Sequence, residues 1–276
     1  MQASEVRRLA EGLLEVALAA ARALMAHFGT GMEVERKADH SPVTAADRQA
    51  EEIILAGLTR VAPGVPIIAE EEVAAGRIPD ISGGFFLVDP LDGTNGFIKG
   101  KPEFTINIGL IEGGRPVFGL LYAPALADFY VTLASNAAVN ARIDPAARVR
   151  SLSECGLRPL YGRVPDPHAL VALTSQSHLN RATERFLARY QVIERRALAS
   201  SLKFALIAKG EADFYPRIGP TSEWDTAAGH AVLAAAGGTV TNFEGAPLSY
   251  GNAEHGFESP DFVAWGRGPL PQAREV

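Results

Sequence analysis

Apolar and polar positions alternate with two different periods along this chain. Between Ser4 and Phe28, Val6, Leu9, Leu13, Val16, Ala17, Ala20, Leu24 and Phe28 recur at steps of three and four. That spacing predicts a long amphipathic helix, stopped by Gly29 and Gly31. Glu33 to Ser41 is polar and reads as a short strand and a loop carrying Lys37. A second helix opens at Thr44-Ala45-Ala46-Asp47, with Ile53, Ile54 and Leu58 on its apolar side. Pro63-Gly64 marks a turn, Val65 to Ala69 a short strand, and Glu72 to Ile81 a mobile surface segment. Gly84 to Val88 has the aromatic and β-branched content of a buried strand. Pro90 lacks a backbone donor, which predicts that pairing stops after Asp89 and leaves Asp89 and Asp92 at a sheet edge.

Further along, Phe104 to Ile111 and Pro116 to Tyr122 read as strands joined by the hairpin Glu112-Gly113-Gly114-Arg115, with Phe129 to Leu133 as the next strand. Asn136 to Pro167 loses periodicity and reads as a connection. Strands and helices then alternate. Strands are expected at Leu170 to Thr174, Gln191 to Glu194, Ala212 to Tyr215, Thr239 to Asn242 and Phe262 to Trp265. Helices are expected at His178 to Tyr190, Ser200 to Ala208 and Trp224 to Ala236. The pattern predicts an α+β half over residues 1–145 and a layered α/β half over 146–276, packed as one compact unit.

Composition narrows the partners. Over 276 residues, 47% are hydrophobic and 21% charged, which is ordinary for a folded protein. The net charge of −6 argues against polymeric nucleic acid and anionic membrane as electrostatic partners, but not against a small phosphorylated metabolite. Cys155 is the only cysteine, so no intrachain disulfide or cysteine-rich zinc site can form. No apolar run approaches a membrane span, and Glu15 and Arg22 interrupt the first apolar segment. A cytoplasmic protein is expected, with peripheral association at the inner membrane and the choice of monomer or homodimer left open.

Candidate chemistry gathers at Asp89-Pro90-Leu91-Asp92-Gly93-Thr94, where an apolar run ends. Alone, the stretch reads equally well as an acidic turn or as a site. Glu70-Glu71-Glu72 alone reads as a solvated charge run. Asp47 has capping-box spacing from Thr44, and Asp225 sits where a first helical turn favours an acid. A lone His27 reads as structural or surface, and Lys203 as a solvated helix lysine.

Taken together, Glu70-Glu71, the Asp89–Thr94 stretch and Trp224-Asp225-Thr226-Ala227-Ala228-Gly229 resemble the metal-binding signature of the inositol monophosphatase superfamily. These are lithium-sensitive, magnesium-dependent phosphatases. The resemblance implies an α+β fold built as a layered α-β-α-β-α sandwich, with two or three Mg²⁺ ions per site. It implies metal ligands at Glu70, Asp89, the Leu91 carbonyl, Asp92 and Asp225, with Asp89 bridging two ions. It further implies that Asp47 and Thr94 orient the attacking water, and that the Gly93 and Thr94 amides cradle the phosphate.

Phe97-Ile98-Lys99, Glu103 to Ile108, Ser200 to Phe204 and Tyr215 to Thr221 resemble, within that superfamily, the bacterial 3′(2′),5′-bisphosphate nucleotidases. This implies cleavage of adenosine 3′,5′-bisphosphate to AMP and phosphate, in sulfur assimilation or nucleotide recycling, with Ser200, Ser201 and Lys203 as contacts to the 5′-phosphate. Asn95-Gly96 departs from the Lys-Glu pair of that branch. The alternatives are a broad inositol-1-phosphate or fructose-1,6-bisphosphate phosphatase, or a metal- or phosphate-binding regulatory protein.

Overall fold

The computed structural model describes residues 1–31, 34–36 and 42–268. Lys37 and the rest of its loop lie outside the described residues. In chain order the first half contains α1 (Ala3–His27), β1 (Val34–Arg36), β2 (Pro42–Thr44), α2 (Ala45–Val61), β3 (Ile67–Ala69) and α3 (Glu70–Ala74). It continues with β4 (Phe85–Asp92), α4 (Thr94–Ile98), β5 (Thr105–Glu112), β6 (Arg115–Ala123), β7 (Asp128–Ala134) and β8 (Ala137–Arg142). The second half contains β9 (Arg158–Pro159), β10 (Leu170–Ser175), α5 (Arg181–Leu187), β11 (Val192–Leu198) and α6 (Leu202–Ala208). It closes with β12 (Phe214–Arg217), α7 (Glu223–Ala235), β13 (Thr239–Thr241) and β14 (Phe262–Trp265).

Strands β3 to β9 form a seven-stranded sheet in sequence order, and a five-stranded sheet runs β11-β10-β12-β14-β13. β4 shows how the layers arise. Its alternate side chains face opposite ways. Phe86 and Val88 join the core beneath α1 and α2, whereas Phe85 and Leu87 join the core shared with α6 and α7. On the smaller sheet, Leu170, Ala172, Phe214 and Trp265 pack against Phe186 and Leu187 of α5. The result is helices, sheet, helices, sheet, helix: an α+β layered sandwich. The middle core takes Leu87 and Leu121 from before residue 145 and Leu173, Phe204 and Val232 from after it.

Several expected boundaries move. Pairing does not stop at Pro90: after Asp89↔Asn107 the register slips, and it resumes at Asp92↔Thr105. The missing proline donor therefore falls at an irregularity, where no ladder bond is lost. The site does lie where one side of β4 is free: β3 pairs only as far as Val88, so Asp89 and Asp92 have strand partners on the β5 side alone. Glu70 to Ala74 is helical rather than coil, and Glu72 pairs with Arg77 at 2.6 Å. β8 was hidden in the weakly patterned connection, because its inward positions Ala138, Val139 and Ala141 are small. α5 starts only at Arg181, where the Asn180 side chain accepts from Thr183 N. Ser200 stays outside α6, with a left-handed φ of 53°.

The contact that positions α7 is made by backbone. Gly109 of β5 and Gly119 of β6 are register partners. A Cβ on Gly109 would stand 2.7 Å from Ala227 Cβ, and one on Gly119 would stand 2.3 Å from the Ala228 carbonyl oxygen. Only glycine lets the helix lie this close to the sheet. Gly119→Ala should therefore lower stability by about 1–3 kcal/mol, the usual cost of overpacking, measurable as a fall in Tm. An unchanged Tm would show that this spacing is soft.

Candidate active site

Local sequence places each acidic side chain of the site. Thr44 caps α2, and Asp47 three residues later returns the contact: its Oδ2 accepts from Thr44 N at 2.8 Å and from Thr44 Oγ1 at 2.6 Å. Its other oxygen, Oδ1, lies 3.2 Å from Thr94 Oγ1, so capping and site contact coexist in one residue. Asp225 occupies the same position in α7. Its Oδ2 accepts from Ser222 N at 3.1 Å and from Thr221 Oγ1 at 2.8 Å.

Asp89 is the last residue of β4 before the register slips, and its Oδ1 accepts from Leu91 N at 2.9 Å. Asp92 Oδ2 accepts from Ser201 N at 2.7 Å and Ser201 Oγ at 2.8 Å, with Asn107 Nδ2 at 3.4 Å. Gly93 then takes φ 99°, which turns the chain into α4, whose first N–H groups have no helical acceptor. Thr94 Oγ1 also reaches the Leu91 carbonyl at 3.0 Å. Glu70 starts α3 at the end of β3.

One cleft brings these residues together. Its volume is about 340 Å³, the size of a small-molecule site, and Glu70, Asp89, Asp92, Thr94 and Asp225 line one part. Like charge dominates there. Burial, followed by Glu70, Asp92 and Asp225, raises the Asp89 carboxyl well above the usual range. Burial, Asp92 and Glu70 raise Asp225 to about 7. Burial is also the main cause of the raised pKa of Asp47, opposed by its bonds to Thr44 and Thr94.

Among the described residues, no three acidic, histidine or cysteine side chains already close around one point as an ion cage would. The donor set still fits a hard divalent cation: four carboxylates and the Leu91 carbonyl, all oxygen, with Asp89 2% exposed among three acidic neighbours.

Basic side chains line the same cleft. Lys203 is no solvated lysine: it is 4% exposed, and Nζ lies 4.9 Å from the centre of the Tyr215 ring. Nζ donates to the Ser200 carbonyl at 2.5 Å and to the Leu198 carbonyl at 3.3 Å, and burial lowers its pKa to about 8. Arg217 and His178 line the cleft too. Arg217 donates to the Pro220 carbonyl, while its buried Nε has no partner. Burial, then the charges of Arg217 and Lys203, lowers the His178 pKa. Reading the sequence did not single out Arg217 or His178. The available signal for Arg217 was an arginine closing the otherwise apolar Phe214–Arg217 strand.

Ser200 and Ser201 differ in role. Both line the cleft, but Ser201 is the more buried and directs its groups to Asp92 and to the Asp225 carbonyl, at 2.6 Å. Ser201 thus ties two carboxylate-bearing elements together. His27, partly buried, contacts Gln49 Oε1 at 3.1 Å and lies apart from the cleft lining.

A profile of the inositol monophosphatase family matches residues 5–263. The 3′(2′),5′-bisphosphate nucleotidase CysQ of Escherichia coli (strain K12) is 41% identical over 231 residues, covering 84% of this chain and 88% of that protein. The crystal structure of CysQ from Bacteroides thetaiotaomicron, a bacterial member of the same family, superposes with a TM-score of 0.77 at 32% identity, covering 94% of this chain and 97% of the other. An inositol monophosphatase from Anabaena (Nostoc) sp. PCC 7120 superposes with a TM-score of 0.70 at 26% identity, covering 92% and 88%.

Proposed function

The chain belongs to the inositol monophosphatase family, and from that membership we propose that it is a 3′(2′),5′-bisphosphate nucleotidase that removes the 3′-phosphate of adenosine 3′,5′-bisphosphate. The observation that carries this reading is that one cleft is lined both by the carboxylates and by the basic side chains Lys203, Arg217 and His178. A ligand with one phosphate to cleave and a second to anchor uses both sets; a monophosphate uses only the first.

Glu70, Asp89, Leu91 through its carbonyl, Asp92 and Asp225 would hold magnesium. Bound there, Mg²⁺ supplies positive charge to phosphoryl oxygens and makes water more acidic. The chain's own residues do the rest. The Gly93 and Thr94 amides face the scissile phosphate at the start of α4. Thr94 Oγ1 accepts a proton from the attacking water as it passes its own to Asp47 Oδ1, 3.2 Å away. Burial raises the Asp47 pKa, which makes it a suitable proton sink. Ser201 fixes Asp92, and Lys203 holds the Ser200 carbonyl while presenting charge to the second phosphate. Among the described residues no helix is long and apolar enough to cross a membrane. The free, buried Cys155 suits the reducing cytoplasm, where we place the activity.

Phosphate release from adenosine 3′,5′-bisphosphate, inositol 1-phosphate and fructose 1,6-bisphosphate, with Mg²⁺ and with chelator, tests the reading. The bisphosphate nucleotide should give the highest kcat/KM, and chelator should remove all activity. A preference for inositol 1-phosphate would transfer the assignment to that substrate. Lys203→Ala should weaken the bisphosphate nucleotide by about 1.5–3 kcal/mol, the value of a hydrogen bond to a charged group, and inositol 1-phosphate much less. Equal losses on both would remove Lys203 from second-phosphate recognition.

A further inference from the structure

The junction between β3 and α3 decides where Glu70 points. α3 has five residues, and its N-cap, Ala69, has no side-chain acceptor. Its first N–H groups must therefore find partners elsewhere. One partner comes from α2: Glu51 Oε2 accepts from Glu71 N at 3.0 Å, from a residue 20 positions away.

Glu51 is otherwise poorly placed. It is 4% exposed, and among the described residues it forms no ion pair. Burial and the charges of Glu71, Glu72 and Glu70 push its carboxyl up to about 7, against the lowering effect of the Glu71 N–H. A carboxyl buried among acids costs stability, so fold stability alone does not account for it. Its place on α2 does. Glu51 follows Asp47 by four residues, on the same helix face. Asp47 holds Thr94 at the start of α4, and Glu51 holds the first turn of α3. One helix face thus braces both turns that flank the carboxylate cluster.

We propose that Glu51 is a positioning residue, which fixes the direction of Glu70 by holding the Glu71 amide. The proposal rests on the reading of Glu70 as a metal ligand. Mn²⁺ binding by calorimetry and the Tm of the metal-free protein, measured for wild type, Glu51→Asp and Glu51→Gln, test it. Aspartate is one methylene short of the amide, so Mn²⁺ should bind about tenfold more weakly, as expected when a group supporting a ligand is lost. Glutamine keeps the acceptor and should bind within about threefold of wild type, while losing the repulsion from neighbouring acids. A lower Tm in the aspartate variant with unchanged Mn²⁺ affinity would overturn the proposal, leaving Glu51 a stabilising cap. An equal loss of affinity in both variants would also overturn it, because charge rather than the hydrogen bond would then matter. Wild-type protein that binds no Mn²⁺ would overturn the metal reading itself, before any variant is compared.

Discussion

Asp89→Asn is expected to abolish metal-dependent phosphate release, by roughly three orders of magnitude or more. That corresponds to losing several kcal/mol of charge stabilisation at the phosphoryl group. Asp89 is 2% exposed and meets the charges of Glu70, Asp92 and Asp225, so its carboxylate is the centre of the cluster. The same substitution should raise the Tm of the metal-free protein, because folding no longer has to bury a carboxyl beside three others or protonate it. Full turnover in this variant would rule out the proposed ligand set.

Asp225 extends the argument to pH. Its folded-state pKa is raised from 3.8 to about 7, so its contribution to stability is fully present below 3.8 and lost as pH rises through about 7. Melting curves in chelator should fall across that window. Added Mg²⁺ should reverse the slope, because a cation favours the charged forms. A pH-independent metal-free Tm would show that Asp225 lacks this electrostatic burden.

The second large effect is expected at Asp47. Asp47→Asn should lower turnover by about 100-fold or more, the scale of general acid–base catalysis. The capping contacts to Thr44 predict a separate stability loss of about 1 kcal/mol. The two losses divide between the two carboxyl oxygens, Oδ2 for the cap and Oδ1 for Thr94. Thr94→Val keeps the cap and removes the hydroxyl, so it should reproduce the rate loss without the stability loss. A Thr94→Val enzyme with normal turnover would place proton transfer elsewhere.

Much of this was legible because it is local. The Phe262–Trp265 strand was read to the residue, and the cap of α2 follows from the spacing of Thr44 and Asp47. Asp89, Asp92, Glu70 and Asp225 were legible as a group through resemblance, since spacing alone left each with an ordinary structural explanation. What stayed hidden depends on chain returning from far away. Glu51 meets Glu71 only after α2 and β3 pack together. Ser201 meets Asp92 across 109 positions, and nothing nearby in sequence showed that its donors were engaged. Pro90 misled for a different reason: a rule about ladder donors does not apply where the ladder slips. Without the resemblance Lys203 passes for a solvated lysine, because composition says nothing about which helix lysines are buried.

The glycine contact beneath α7 has a consequence for how such an enzyme can diversify. Asp225 is carried on a helix that touches the sheet through Gly109, Gly119, Ala227 and Ala228, with no long side chain between them to repack. The spacing between Asp225 and the β4 carboxylates is thus fixed by main chain. The Arg217 and His178 side chains belong instead to segments around the smaller sheet, away from that contact. Changes in those segments can reshape what the cleft accepts without disturbing the carboxylate spacing. In directed evolution, libraries restricted to residues 175–180 and position 217 should therefore yield altered substrate preference with metal requirement intact. Libraries at the glycine contact should yield mainly unfolded protein.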